Sequence, residues 1–134
     1  MVPREIVIEI EAAAPERARF EQLVRRTLEA EGRSLGRVTV SFVDTVTIKA
    51  LNRKHRGQAK PTDVLSWPFD ASFPQGDGGE VVICREQAEP TGPATIDRLL
   101  VHGVLHLLGY KDETGADLAE MERRTDRILE NARG

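Results

Sequence analysis

The 134-residue sequence holds one cysteine, Cys84, so no disulfide can form within the chain. That usage fits a reducing compartment. No stretch approaches the roughly 20 consecutive apolar residues that a membrane-spanning helix needs. The opening segment, MVPREIVIEI, carries Arg4, Glu5 and Glu9 where a secretory leader would need an unbroken apolar run. Internal repeats and low-complexity tracts are missing too. So is a general excess of positive charge: the net charge of −3 gives no global signature of nucleic-acid binding. What is left is a soluble cytoplasmic domain of ordinary size, able to bury one core without covalent staples.

The charge is unevenly placed. Residues 49–60, KALNRKHRGQAK, contain Lys49, Arg53, Lys54, Arg56 and Lys60 and no acidic side chain. On charge alone the segment reads as a solvated helix face running into a loop. A local cationic patch on an acidic body can also grip phosphates.

Apolar patterning predicts the elements. Residues 5–10 are β-branched and apolar, a strand. Pro15 opens a helix through about Glu31, with Phe20, Leu23, Val24, Thr27 and Leu28 on one face and Gly32 as its end. RVTVSFV at 37–43 alternates as a strand, with Val38, Val40 and Phe42 pointing one way. Asp44 or Thr45 caps a helix over about 45–54, stopped by Gly57. KPTD is a turn before a strand from Val64 to Phe69. Residues 71–79, glycine-rich with Pro74, read as a loop, and Glu80–Cys84 as the fourth strand. Pro90, Gly92 and Pro93 break the chain before a helix from near Thr95. Its stripe is Ile96, Leu99, Leu100, Gly103, Val104, Leu107 and Leu108, ending at Gly109. A last amphipathic helix covers about Gly115 to Glu130. The fold class is α+β: a single domain over residues 1–134, with a small mixed sheet of about four strands packed with helices.

The chemistry concentrates on the helix in the C-terminal half. At about 100° per residue, His102 and His106 lie about 40° apart at the edge of the apolar stripe. An i, i+4 pair brings two imidazoles within reach of one ion, with bonds of about 2.0–2.1 Å. The chain can double back after Gly109 and bring Asp112 to a third position, giving H-x-x-x-H-x-x-G-x-x-D. Glu113 is the alternative donor. A bare histidine pair on a helix edge is often only a satisfied polar pair. The glycine and carboxylate at these offsets turn the reading toward a metal held by two nitrogens and one oxygen. Zinc proteases place a glutamate directly after the first histidine as general base. Here that residue is Gly103, which removes proteolysis of that type and lets a neighbour pack close to the metal helix.

HGVLHLLGY at 102–110 resembles the metal motif of the YbeY family of endoribonucleases, the rRNA maturation factors. LNRKHRGQAKPTDVLSWPFD at 51–70 resembles that family's second signature and GGEVVIC at 78–84 its third, in the family's order. The resemblance implies a metal-dependent endoribonuclease acting on single-stranded RNA in 16S rRNA 3′-end maturation and ribosome quality control. It implies one zinc, or another divalent ion, near a cleft, and the ribosomal small subunit as partner. His102 and His106 match the ligand positions, and Arg56 matches the cationic residue that faces the substrate phosphate. Asp112 stands where the family normally has a third histidine. His55 stands where the family usually has an aromatic residue, a ring filling the same space or an added polar group. The stretch from Cys84 to His102 is shorter than usual, with a connecting helix reduced or missing. Asp63 is expected to fix the turn before the third strand, and Glu80 to hydrogen-bond a ligand histidine. Arg53, Lys54 and Lys60 would hold flanking phosphates. Two other classes stay open: a non-catalytic ribosome-associated factor with a structural metal, and a metal hydrolase with another substrate.

Overall fold

The computed structural model describes residues 6–69, 77–88 and 94–133. The breakers Pro74, Pro90, Gly92 and Pro93 lie outside them. The elements run β1 (Val7–Ile10), α1 (Ala14–Glu31), β2 (Arg37–Phe42), α2 (Thr45–Arg56), β3 (Val64–Pro68), β4 (Gly78–Ile83), α3 (Arg85–Ala88), α4 (Ala94–Leu107) and α5 (Gly115–Arg133). The sheet order is β1-β2-β4-β3. β1 and β4 each run parallel to β2, and β3 is antiparallel to β4, so the sheet is mixed as expected. Among the described residues, the stretch between β4 and α4 holds the single turn of α3, and the rest of that connection lies outside them. No helix among the described residues is long and apolar enough to cross a membrane.

Strand alternation divides the side chains between two faces. On one face, Val38, Val40, Val81 and Ile83 join Phe20, Val24 and Leu28 of α1, Leu100, Val104 and Leu105 of α4, and Met121 and Ile128 of α5 in the main core. Thr27 is fully buried there, and its hydroxyl donates to the Leu23 carbonyl at 2.8 Å. The opposite face carries a smaller cluster, in which Ile48 of α2 meets Leu65, Val82 and Cys84. α4 packs against α1, α5, β3 and β4, and so holds its polar edge rigidly beside the β3 end of the sheet.

One boundary differs from expectation. β4 begins at Gly78, inside the segment read as a loop. Glycine weakens a strand by propensity, which is why the sequence suggests a loop. Packing reverses that preference. A Cβ on Gly78 would lie 1.9 Å from the Arg37 carbonyl oxygen, and one on Gly79 would lie 2.4 Å from the Trp67 carbonyl oxygen. Only bare backbone fits between the neighbouring strands.

Candidate metal centre

The ligand geometry begins at the end of α4. The Gly109 N–H donates to the His106 carbonyl and the Tyr110 N–H to the Leu105 carbonyl, the paired bonds of a Schellman stop. Gly109 supplies the positive φ of 102° that this turn requires. The reversal brings the Tyr110 carbonyl oxygen 2.9 Å from Nδ1 of His106. A carbonyl can only accept, so Nδ1–H donates and a neutral ring keeps its lone pair on Nε2.

That lone pair faces the other two donors. Nε2 of His106 lies 3.0 Å from Nε2 of His102 and 3.3 Å from Oδ2 of Asp112. His102 Nε2 to Asp112 Oδ2 is 3.9 Å. Three atoms bound tetrahedrally to one zinc at about 2.1 Å would be about 3.4 Å apart, so the triangle fits a single small ion. All three side chains are partly exposed, at 25%, 25% and 30%, which leaves one side open. Burial holds the His102 imidazole below its ordinary pKa, helped by adjacent His106 and opposed by Asp112. Desolvation thus keeps the ring neutral, the form that donates to a metal. His102, His106 and Asp112 form the sole three-donor cluster of this kind among the described residues, and exposed Glu113 is outside it.

A partly buried network fastens the turn. Glu31 at the end of α1 has a side chain only 6% exposed. It accepts from the Tyr110 hydroxyl at 2.5 Å and from Arg124 Nη1 through both oxygens at 3.0 Å. The Arg124 guanidinium also lies 4.7 Å from the centre of the Tyr110 ring. The phenol is pushed above its ordinary pKa, chiefly by its hydrogen bond to Glu31.

The open side is a cleft of about 370 Å³ lined by the three donors together with Arg56, Thr62, Asp63 and Ser66. Arg56 is exposed and makes no ion pair among the described residues. It is carried there by α2, whose N-terminus is capped by Asp44 accepting from the Thr47 N–H at 2.7 Å. Arg53, Lys54 and Lys60 are exposed but do not line the cleft. Asp63 does more than shape a turn: its carbonyl accepts from the Cys84 N–H, and its carboxylate raises the pKa of His102. His55 stacks flat on Trp67, the ring-filling role expected of that position. Glu80 does not hydrogen-bond a ligand histidine. Its neighbour Val81 meets Gly103 of α4, so strand parity turns Glu80 to the opposite face of the sheet. The sequence pattern missed the Glu31–Tyr110–Arg124 network; its only local signal is the tyrosine after Gly109.

Comparison with known proteins agrees with this architecture. The family model for endoribonuclease YbeY matches residues 6–133. An endoribonuclease YbeY from Halorhodospira halophila is 41% identical over 132 residues, covering 88% of this chain and 84% of that protein. One from Persephonella marina is 43% identical over 107 residues, covering 72% of this chain and 70% of that protein. The solution structure of TM1509 from Thermotoga maritima matches with a TM-score of 0.54 at 27% identity, covering 95% of this chain and 92% of that one. A match across almost the entire sequence, with these identities, means that the chain belongs to the endoribonuclease YbeY family.

Proposed function

We propose that this chain is a metal-dependent endoribonuclease that cuts single-stranded RNA, acting in the cytoplasm on the 3′ end of 16S rRNA in the small ribosomal subunit. The observation that carries the reading is the three-donor triangle opening onto a cleft that Arg56 also lines. The two nitrogens and one oxygen suit a catalytic zinc, and three protein donors leave a coordination position free. A divalent ion held there supplies Lewis acidity, polarising phosphoryl oxygen and making water more acidic.

The protein's own residues complete the chemistry. Charge builds on the phosphoryl oxygens as the phosphodiester reacts. The Arg56 guanidinium can meet it with two parallel hydrogen bonds, and in a partly desolvated cleft such bonds strengthen. His106 keeps its orientation through the Tyr110 carbonyl. Arg53 and Lys54, in the same last turn of α2, can hold flanking phosphates without entering the cleft.

The test is cleavage of a single-stranded RNA by protein of measured metal content. Arg56→Glu should lose about 10²–10³-fold in kcat with its metal retained. His106→Ala should lose the metal itself. Undiminished cleavage by Arg56→Glu would remove Arg56 from the mechanism, and undiminished metal in His106→Ala would refute the site.

A further inference from the structure

α2 covers only part of the second face of the sheet. It seats Ile48 and Leu51 over Leu65, Trp67 and Val82 of β3 and β4. Toward β1 and β2 the same face is polar, and a groove of about 750 Å³ lies over Arg37, Thr39, Ser41 and Glu80. His55 and Trp67 line this groove and also the metal cleft, so the two spaces meet at that pair. The rings are parallel within 10°, with centroids 4.0 Å apart. Trp67 covers one face of the imidazole, yet His55 remains exposed, so the stack is open on its outer side.

Electrostatics divides the path between the two spaces. Arg53, Lys54 and Arg56 stand in the last turn of α2, and Arg56 lines the cleft. The groove carries Glu9, Glu11 and Glu80, and its one arginine, Arg37, is already paired with Glu9. Phosphate is repelled from such a lining, whereas an uncharged base is not. A strand with its backbone along the basic end of α2 can therefore turn a base over the His55–Trp67 pair. Every base offers a π face, so such stacking tolerates any sequence. The carboxylate of Glu80 makes no hydrogen bond or ion pair among the described residues. It is suited to accept from an exocyclic amino group.

We infer that this groove is a nucleobase subsite. A base flanking the cleaved bond stacks on His55 and Trp67, and Glu80 accepts from its amino group, favouring adenine, cytosine or guanine over uracil. The inference rests on the endoribonuclease reading and deepens it by assigning the site that holds a base.

Trp67 is the only tryptophan in the chain, so its fluorescence reports this subsite directly. The experiment titrates zinc-loaded protein with a cleavage-resistant 2′-O-methyl phosphorothioate oligonucleotide. Affinity is read independently from the anisotropy of a label on the oligonucleotide. Binding should quench Trp67. His55→Ala should bind about tenfold more weakly with unchanged zinc content, and His55→Phe should restore the affinity because the ring alone is needed. Glu80→Ala, which removes the acceptor, should erase the preference for amino-bearing bases over uracil. Full-affinity binding with no quenching, and no effect of His55→Ala, would overturn the subsite while leaving the RNA reading intact. His55→Phe as weak as His55→Ala would overturn stacking in favour of an imidazole hydrogen bond. Retention of the base preference in Glu80→Ala would overturn the role of Glu80. Absence of any binding by anisotropy would overturn the RNA reading and the subsite with it.

Discussion

Nδ1 of His106 donates to the backbone carbonyl of Tyr110 across 2.9 Å. One bond therefore sets the tautomer of a candidate metal donor and ties it to the turn that delivers Asp112. The position of that turn depends on Glu31, which holds the Tyr110 hydroxyl and Arg124 at once.

Glu31→Ala should act on both stability and metal binding. It leaves the Tyr110 hydroxyl without its acceptor and Arg124 with Glu120 alone, at a cost of about 2 kcal/mol. The loosened turn should also lower zinc affinity by about tenfold, the usual scale for losing an outer partner of a ligand histidine. Denaturant unfolding and competition with a chromophoric chelator measure the two effects. A stability loss with zinc affinity unchanged would separate the network from the metal centre. Glu31→Gln keeps an acceptor for the hydroxyl and should fall between the two.

Asp112 can be tested against its neighbour. Its oxygen closes the donor triangle, whereas Glu113 is exposed and outside it. Asp112→Ala should weaken zinc by about 100-fold or more, beyond the roughly 10–100-fold of an outer-partner loss. Asp112→His replaces one donor type with another and should retain the metal. Glu113→Ala should change nothing. Zinc affinity lost in Glu113→Ala and kept in Asp112→Ala would exchange their roles.

Much of this was legible in the sequence, and the limits have physical causes. The α4 stripe, the two histidines at its edge and the glycine stop all depend on local spacing, so periodicity finds them. Asp112 was within reach because a Schellman turn returns the chain within a few residues. Glu31 was not, because it meets Tyr110 and Arg124 across 79 and 93 residues of sequence. Glu80 was assigned to the wrong face because a strand with period two does not state which parity meets the metal helix. The start of β4 was missed because Gly78 and Gly79 serve close backbone approach, which residue propensity scores against. His55 and Trp67 each read as ring-bearing positions, but their stacking requires α2 to lie across β3.

The cap of α2 should show a pH dependence of known sign. Asp44 accepts from Thr47, and those hydrogen bonds hold its carboxyl below its ordinary pKa. A depressed folded pKa means stability that is complete above the unfolded value of 3.8 and is lost as pH falls through the folded one. Asp44→Asn keeps an acceptor but cannot ionise. Thermal melts of the two proteins should differ near neutral pH and converge as the pH falls below 3.8 and through the lowered folded value. A gap that persists unchanged to the lowest pH would show that the charge on Asp44 contributes nothing.

Gly103 sets how closely α4 approaches the sheet, and a methyl group there makes the clearest packing test. A Cβ would lie 2.6 Å from Cγ1 of Val81, a fully buried residue in β4. Valine is stiff about χ1 and β4 is an interior strand, so neither yields cheaply. Helix propensity favours alanine over glycine by about 1 kcal/mol, while overpacking costs about 1–3 kcal/mol, so Gly103→Ala should be destabilising on balance. The helix can relieve the clash only by moving away from the sheet, carrying His102 and His106 with it relative to the Glu31-anchored turn. Zinc affinity should therefore fall along with stability. Val81→Ala alone opens a cavity and costs stability by another route. In the double variant the new methyl occupies the space the valine vacates. The two losses should then fail to add, with a favourable coupling of about 1–2 kcal/mol, and zinc affinity should recover. Simple additivity in stability, or a zinc defect that survives in the double variant, would mean that Gly103 does not act through its distance from Val81.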